Sequence, residues 1–486
     1  RDAPKVILGH FGQALVINIQ AHNVAAIRDQ ARHDGLPHAA SGPCYYCDPA
    51  HFRFPFIVAI AAASRYPEIT CKRTYILSKE HPMPIRPARR ITETAPKNFG
   101  MFAKAVGMQG DLIHLELGMP AEDTPQHIKD ATIAALRDGA VHYSDLQGLP
   151  KLRQAIATKV QHRNGLDLTA EEVIVTNGLT QASFAAFMAF LEAGDECLLL
   201  APYYPQHIGK VELAGATVRI APLDADNNFA INRTLIEPHI TAATKAIALI
   251  NPCNPTGRVY STDELQVLAD IAQHHDLLVF SDEVYEEIIY GAARHISIAS
   301  LPGMRARTIS MFAFTKAYAM DGWRLGYIAA DAALIGPCMK IHTNEVTHVN
   351  TFVQHGALAA LTGDPEVLRA MVARDRERRD LVVSRLNQMP GVACAPVEGT
   401  IYAFPDIRAT GLSAQDCADQ LLKETGVVVE AGSFYGEAGE GHLRVCFGCA
   451  EVAVLAEAMD RMQRFFKRGP APIGPRADPP GVYLER

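Results

Sequence analysis

The chain has 486 residues, 48% hydrophobic and 20% charged, enough for two or three packed units and too apolar for disorder as its main state. Asp and Glu number 53 against 46 Lys and Arg, a formal charge of −7, the wrong sign for neutralising a nucleic-acid backbone. Ten cysteines spread over this length lack the density of a disulfide scaffold and read as reduced thiols of a cytoplasmic enzyme.

In chain order, the sequence opens on Arg1 rather than methionine, and residues 1–82 carry no clear helical period. The longest apolar run there, 54–63, is too short to cross a bilayer, and no basic segment followed by an apolar one marks a secretory signal. The functional fold is expected to begin near Met83, with 1–82 an extension outside it. Asp123-Thr124-Pro125 predicts a helix start with Thr124 as cap and Pro125 in the first turn. Ile128, Thr132, Ala135 and Leu136 then share one face, and Gly139 closes the helix. Strands are predicted at 172–176, 196–200, 246–250, 277–280 and 308–312. The third is wholly apolar, as in a sheet buried on both faces. Ser261 and Glu264 form a capping box ahead of Leu265, Leu268 and Ile271. Residues 469–486, with five prolines and three glycines, predict a loose tail.

Strands alternating with helices predict an α/β fold with a mostly parallel central sheet and helices on both faces. In such a sheet, loops leaving the strand C-termini gather along one edge, where ligands bind. Asn254, Asp282 and Lys316 each lie just past a predicted strand. A lysine in a desolvated pocket loses its proton readily and becomes a nucleophile toward aldehydes. A buried carboxylate keeps a pyridine nitrogen protonated, Asn and Tyr bond a phenolic oxygen, and Arg with glycine-rich backbone amides holds phosphate. Those are the handles of pyridoxal 5′-phosphate, an electron sink for carbanions.

The sequence carries Leu117-Gly118-Met119-Pro120, the run Tyr143 to Arg153, Thr176-Asn177-Gly178 and Asn251-Pro252-Cys253-Asn254-Pro255-Thr256-Gly257. Ser281-Asp282-Glu283-Val284-Tyr285, Thr315-Lys316, Gly322-Trp323-Arg324 and His442-Leu443-Arg444 follow. In this order, over residues 83–468, these motifs resemble the fold-type I aminotransferases of class I/II, the aspartate aminotransferase superfamily. The resemblance implies a large cofactor-binding domain at 126–340. A smaller α+β domain would be built from the N-terminal segment 83–125 and from 341–468.

It also implies roles. Lys316 would form the internal Schiff base and shuttle the proton between the substrate α-carbon and the cofactor. Asp282 would pair with the pyridine nitrogen, and Tyr285 and Asn254 would bond the ring oxygen. Arg324 and the amides of Gly178, Leu179 and Thr180 would hold the phosphate, and Tyr204 would stack on the ring. Arg444 would fork onto the substrate α-carboxylate, approached also by Gly118 and Asn254. Tyr143 would be lent by a second subunit to the phosphate, implying a homodimer with shared active sites. Two departures stand out: Ala313 where the family often has a phosphate-touching serine, with Thr315 as the substitute, and Thr180 where some aspartate-specific relatives carry a lysine. The expected activity is transfer of an amino group from an L-α-amino acid to a 2-oxo acid, 2-oxoglutarate by resemblance, in a ping-pong cycle. A carbon–sulfur β-lyase on the same scaffold and an aminotransferase-like sensor of a transcription regulator are the alternatives.

Other signals are set aside. Cys44-x-x-Cys47, near His38 and His51, is weak as a metal motif. Cys446-x-x-Cys449 reads as part of a strand whose residues three apart point to opposite faces. Arg374 to Arg379, interrupted by acids, reads as a solvated helix face. Gly436-x-x-Gly439-x-Gly441 follows no strand in the order a dinucleotide loop needs. No metal, nucleic-acid or membrane partner is expected.

Overall fold

The computed structural model describes residues 87–94 and 100–469, with the backbone of three short strands before them, β1 (Lys5–His10), β2 (Gln13–Asn18) and β3 (Ala59–Ala61). The chain divides into two compact units, Arg1–Arg86 and Pro87–Arg486. In the first, β1 pairs antiparallel with both β2 and β3. The Cys44, Cys47, His38 and His51 signal lies outside the described residues.

The second unit begins its strands with β4 (Ile113–His114). Seven strands of one sheet follow: β5 (Val173–Thr176), β6 (Glu196–Ala201), β7 (Thr217–Pro222), β8 (Thr244–Ile250), β9 (Leu278–Asp282), β10 (Thr308–Ala313) and β11 (Gly326–Ala330). Their spatial order is β5-β11-β10-β9-β8-β6-β7. Every pairing is parallel except those of β11, which runs antiparallel to both β10 and β5. The central strands are buried on both faces, which explains why they read as continuous apolar runs. The period of two sorts their side chains. Cys197, Leu199, Ala246 and Ala248 pack toward the helices Leu179–Phe190 and Ala332–Glu345, while Leu198, Leu200, Ile247 and Leu249 pack toward the helix Thr262–His274. The fold is α/β with a mixed, mostly parallel central sheet.

A second core gathers around β12 (Tyr402–Ala403), β13 (Val427–Val428), β14 (Glu430–Ala431) and β15 (Leu443–Cys446). Strand β15 lies between β12 and β14, antiparallel to both, and β13 pairs in parallel with β4. The helix Val452–Arg468 buries Leu455, Met459, Met462 and Phe466 against this core, one stripe at helical spacing. Arg444 on β15 and the segment after β4 thus reach the sheet edge where β8, β9 and β10 end.

Several local expectations hold. The Ser261–Glu264 capping box is formed in both directions, and Leu265, Leu268 and Ile271 are buried. The five predicted strands are present, displaced by no more than two residues at an end. Others are corrected. Thr124 does not cap the helix Gln126–Arg137, which has Pro125 at its N-cap. Its hydroxyl donates to Ala319 O at 2.5 Å and accepts from Trp323 Nε1 at 3.0 Å, tertiary partners that replace the cap. Leu136 is 43% exposed, so that helix buries a narrower stripe than its apolar residues suggest. The basic run 374–379 is not uniformly solvated. The Arg378 side chain is 1% exposed and reaches Glu122 at 2.8 Å and Asp375 at 3.1 Å, acids that the sequence places on another segment and one turn back. The run 442–449 is a strand only to Cys446. The chain then turns, so the opposite-faces argument for Cys446 and Cys449 fails. No group of three or more His, Cys, Asp or Glu is placed to hold a metal ion, and no helix is long and apolar enough to cross a membrane, among the described residues.

Candidate active site

The cleft at this edge has a volume of about 800 Å³. Gly118, Leu179, Thr180, Tyr204, Asn254, Asp282, Tyr285, Lys316, Arg324 and Arg444 all line it, so residues up to 326 positions apart in sequence meet there. Gly178 lies one residue behind the lining, at the N-cap of the helix Leu179–Phe190. Tyr143 stands outside the cleft of its own chain, 87% exposed, with its ring 5.2 Å from that of His348. Thr315 lines the cleft, whereas Ala313 ends β10 and does not.

Asp282 is the last residue of β9 and is 3% exposed. One carboxylate oxygen accepts from Val284 N at 3.2 Å, and the other lies 3.4 Å from His207 Nε2. His207 is buried, and burial lowers its pKa, partly countered by its hydrogen bond to Asp282. Its Nδ1 has no protein partner. The ring stacks on Phe187 at 5.5 Å and meets Tyr204 edge-on at 5.4 Å. Sequence reading missed His207. The available signal was a histidine three residues beyond Tyr204, inside the helix Gln206–Leu213 that follows β6.

Lys316 leaves β10 by three residues, and its amine donates to Gly118 O. Burial lowers its pKa, with the Arg444 and Arg324 cations acting in the same direction. Tyr285 is 3% exposed, and its hydroxyl lies 2.9 Å from that of Tyr402. Burial raises its pKa, so it is a neutral phenol able to donate. Tyr402 also sets the approach of Gly118: a Cβ at that glycine would lie 1.9 Å from the Tyr402 hydroxyl oxygen. No motif in the sequence marks Tyr402.

Arg444 is 7% exposed. One terminal nitrogen donates to Asn254 Oδ1 at 3.2 Å, the other to Glu116 O, and its buried Nε has no partner. The guanidinium lies 4.2 Å from the Tyr402 ring centre and 5.0 Å from that of Tyr435. Two aromatic walls and one unused donor make a slot for a planar anion. Glu430 borders it, accepting from Met101 N at 3.1 Å, and burial raises its pKa to about 7.

At the other end Arg324, with φ of 54°, bends its guanidinium toward the helix start. Gly178, with φ of 79°, leaves room for it: a Cβ there would sit 2.8 Å from Arg324 Nη2. A helix N-terminus beside a guanidinium suits a phosphate. The site thus has anion cradles at both ends, with an amine of lowered pKa and a buried carboxylate between them.

The family model described as aminotransferase class I and II matches residues 110–462. The chain is 40% identical over 371 residues to an aspartate aminotransferase of Pyrococcus abyssi, covering 76% of this chain and 94% of that one. It is 37% identical to aromatic-amino-acid aminotransferase 2 of Thermococcus litoralis, again over 76% and 94% of the two chains. The structure of an aspartate aminotransferase from Thermus thermophilus with maleate superposes with a TM-score of 0.73 at 33% identity, covering 78% of this chain and 100% of that one.

Proposed function

The chain belongs to the class I and II aminotransferases and is an amino acid transaminase; from that premise we propose that it holds pyridoxal 5′-phosphate in the cleft and uses an L-α-amino acid and a 2-oxo acid, 2-oxoglutarate among them, as its substrates. One arrangement carries this reading. An amine of lowered pKa, a buried carboxylate and an arginine with an unused donor all face the same cleft.

The donor set suits that cofactor. Arg324 and the helix start behind Gly178 would take its phosphate, Asp282 its ring nitrogen, Tyr285 and Asn254 its ring oxygen, and Lys316 its aldehyde. Tyr204 would lie along the ring. When bound, the cofactor supplies an electron-accepting ring that stabilises negative charge at the substrate α-carbon.

The protein's part is binding, orientation and proton movement. Arg444 grips the α-carboxylate through its free Nε and a terminal nitrogen, with Gly118 and Asn254 beside it. That fixes the α-carbon near Lys316. The amine, uncharged more readily than an exposed lysine, takes the proton from the α-carbon and would pass it to the cofactor's aldehyde carbon, moving it the opposite way when the 2-oxo acid is aminated. His207, neutral and buried, orients Asp282 without adding charge. Tyr285 holds its hydrogen bond without giving up its proton.

Residues 126–340 would form the cofactor-binding domain, and 83–125 with 341–468 the smaller one, with 1–82 and 469–486 outside the catalytic unit. Exposed Met119, Ile133, Leu136, Val141 and Leu146 surround Tyr143 in sequence. They supply apolar area for a homodimer in which that tyrosine completes the phosphate site of the other copy. A cytoplasmic location fits the many free thiols.

Borohydride reduction of the yellow holoenzyme, followed by peptide mapping, tests the reading. The B6 label is expected on Lys316, and Lys316→Ala should lose transamination while keeping its far-ultraviolet circular dichroism. A protein that takes up no B6, or a label fixed on another lysine, overturns it.

A further inference from the structure

Cys446 and Cys449 are not used by the mechanism above. The other described cysteines, Cys197, Cys253, Cys338, Cys394 and Cys417, are buried on separate segments. Cys446 ends β15 and is fully buried, whereas Cys449 lies in the following turn and is partly exposed. Cys449 Sγ donates to Cys446 O at 3.2 Å and approaches His114 O at 3.3 Å. The Cys449 sulfur thus lies against the backbone of Cys446, three residues back in the same turn. Gly448 lets the turn fold this tightly, since a Cβ there would lie 2.6 Å from Ile401 Cβ.

The turn is latched to the cleft wall. Cys446 N donates to Leu115 O at 2.8 Å, and Ala121 N to Gly448 O at 2.7 Å. Those two bonds bracket the segment whose Glu116 and Gly118 carbonyls hold Arg444 and Lys316. We propose that Cys446 and Cys449 are a reversible oxidation site, closing to a disulfide that shifts the 447–449 turn and weakens the grip of Arg444 on the substrate carboxylate.

The oxidant is a small-molecule disulfide of the glutathione class. The hydrogen bond to Cys446, with burial, raises the Cys449 pKa, so attack runs through the small thiolate fraction of this less buried sulfur, forming a mixed disulfide and releasing one thiol. Cys446 then attacks the Cys449 sulfur, forming the internal bond and releasing the second thiol. The protein loses two electrons and two protons, and the oxidant becomes two thiols. Burial by itself raises the Cys446 pKa. The hydrogen bond with Cys449 and the Arg444 cation outweigh it, and the net direction is down, which suits a resolving thiolate. A disulfide needs a sulfur separation of about 2.05 Å, so closure draws Cys449 away from His114 O.

The full-length holoenzyme is equilibrated with glutathione disulfide, alkylated and digested with trypsin. Cleavage after Arg444 and Arg461 leaves both cysteines on peptide 445–461. That peptide is expected to lose two hydrogens, take no alkylating agent, and recover on dithiothreitol. Cys446→Ser should instead trap glutathione on Cys449. Recovery of both thiols alkylated in the wild type overturns the site. The second arm is the KM for amino acid, which should rise several-fold on oxidation in the wild type and stay unchanged in Cys449→Ser and Cys449→Ala. A disulfide that leaves the wild-type KM unmoved overturns the link to the cleft. Only this arm rests on the transamination reading, so failure of that reading leaves the mass result standing.

Discussion

Glu283 follows Asp282 directly yet has a different environment. It is fully buried, 2.9 Å from His295 Nε2 and accepting from Ser297 Oγ at 2.9 Å. Burial, with Glu286 nearby, raises its pKa to about 8, and burial lowers that of His295 to about 3. The contact has the spacing of an ion pair but, at neutral pH, is a carboxyl donating to a neutral imidazole. The native Glu283 keeps a proton that the unfolded chain loses above about pH 4.5. Its contribution to stability is therefore full below that value and is lost as pH rises through about 8. The sign for His295 is opposite: its contribution is present above 6.5 and lost as pH falls through about 3. Thermal unfolding should show stability falling from about pH 6.5, where the opposing His295 contribution is complete, to about pH 8, and levelling above it. In Glu283→Gln, whose amide donates in the same place without ionising, that slope should flatten; an unaltered slope would show the proton lies elsewhere. At this scale the sequence was readable where a residue closes a strand beside a turn motif, as Asn254, Asp282 and Lys316 do. His207, Tyr402 and the burial of Arg378 were not readable, because each depends on an atom brought from a distant segment.

The elements that matter most are the short ones at the sheet edge. The helix Leu179–Phe190 starts on Gly178, whose φ of 79° and ψ of 169° belong to a region essentially reserved for glycine. Gly178→Ala combines that strain, about 1–3 kcal/mol, with displacement of the Arg324 guanidinium. The variant should unfold at lower temperature and release B6 more readily, read by equilibrium dialysis and by the yellow absorbance. Cofactor retention equal to wild type would show that Arg324 does not need that opening. The predicted strands were legible because burial on both faces makes an apolar run unmistakable. Strands β7 and β11 were not. β7 is an edge strand with five of its six residues exposed or partly so, and β11 is five residues of mostly small side chains. Its reversed direction leaves no trace in hydropathy, since a period of two reads the same both ways.

For the whole molecule, the matched family segment, 110–462, lies within the second compact unit. A chain starting at Met83 should keep the kcat and KM of the full chain in a coupled transaminase assay. A truncated protein that folds but does not turn over would place part of 1–82 in the catalytic unit. The convergence of two separate cores on one cleft was legible only through the order of the motifs. The spacing between functional groups had to come from the strands themselves. Here the antiparallel return of β11 has an effect of its own. Phe312 and Ala313 of β10 are in register with Tyr327 and Gly326 of β11, and Phe314 N bonds Leu325 O at 3.2 Å. Lys316 stands on the outgoing limb of the loop so closed, and Arg324 on the incoming one. The span from amine to guanidinium is therefore a fixed ruler pinned at its base. The remaining walls are gathered from distant segments, so a substitution in them alters what surrounds that length and not the length itself.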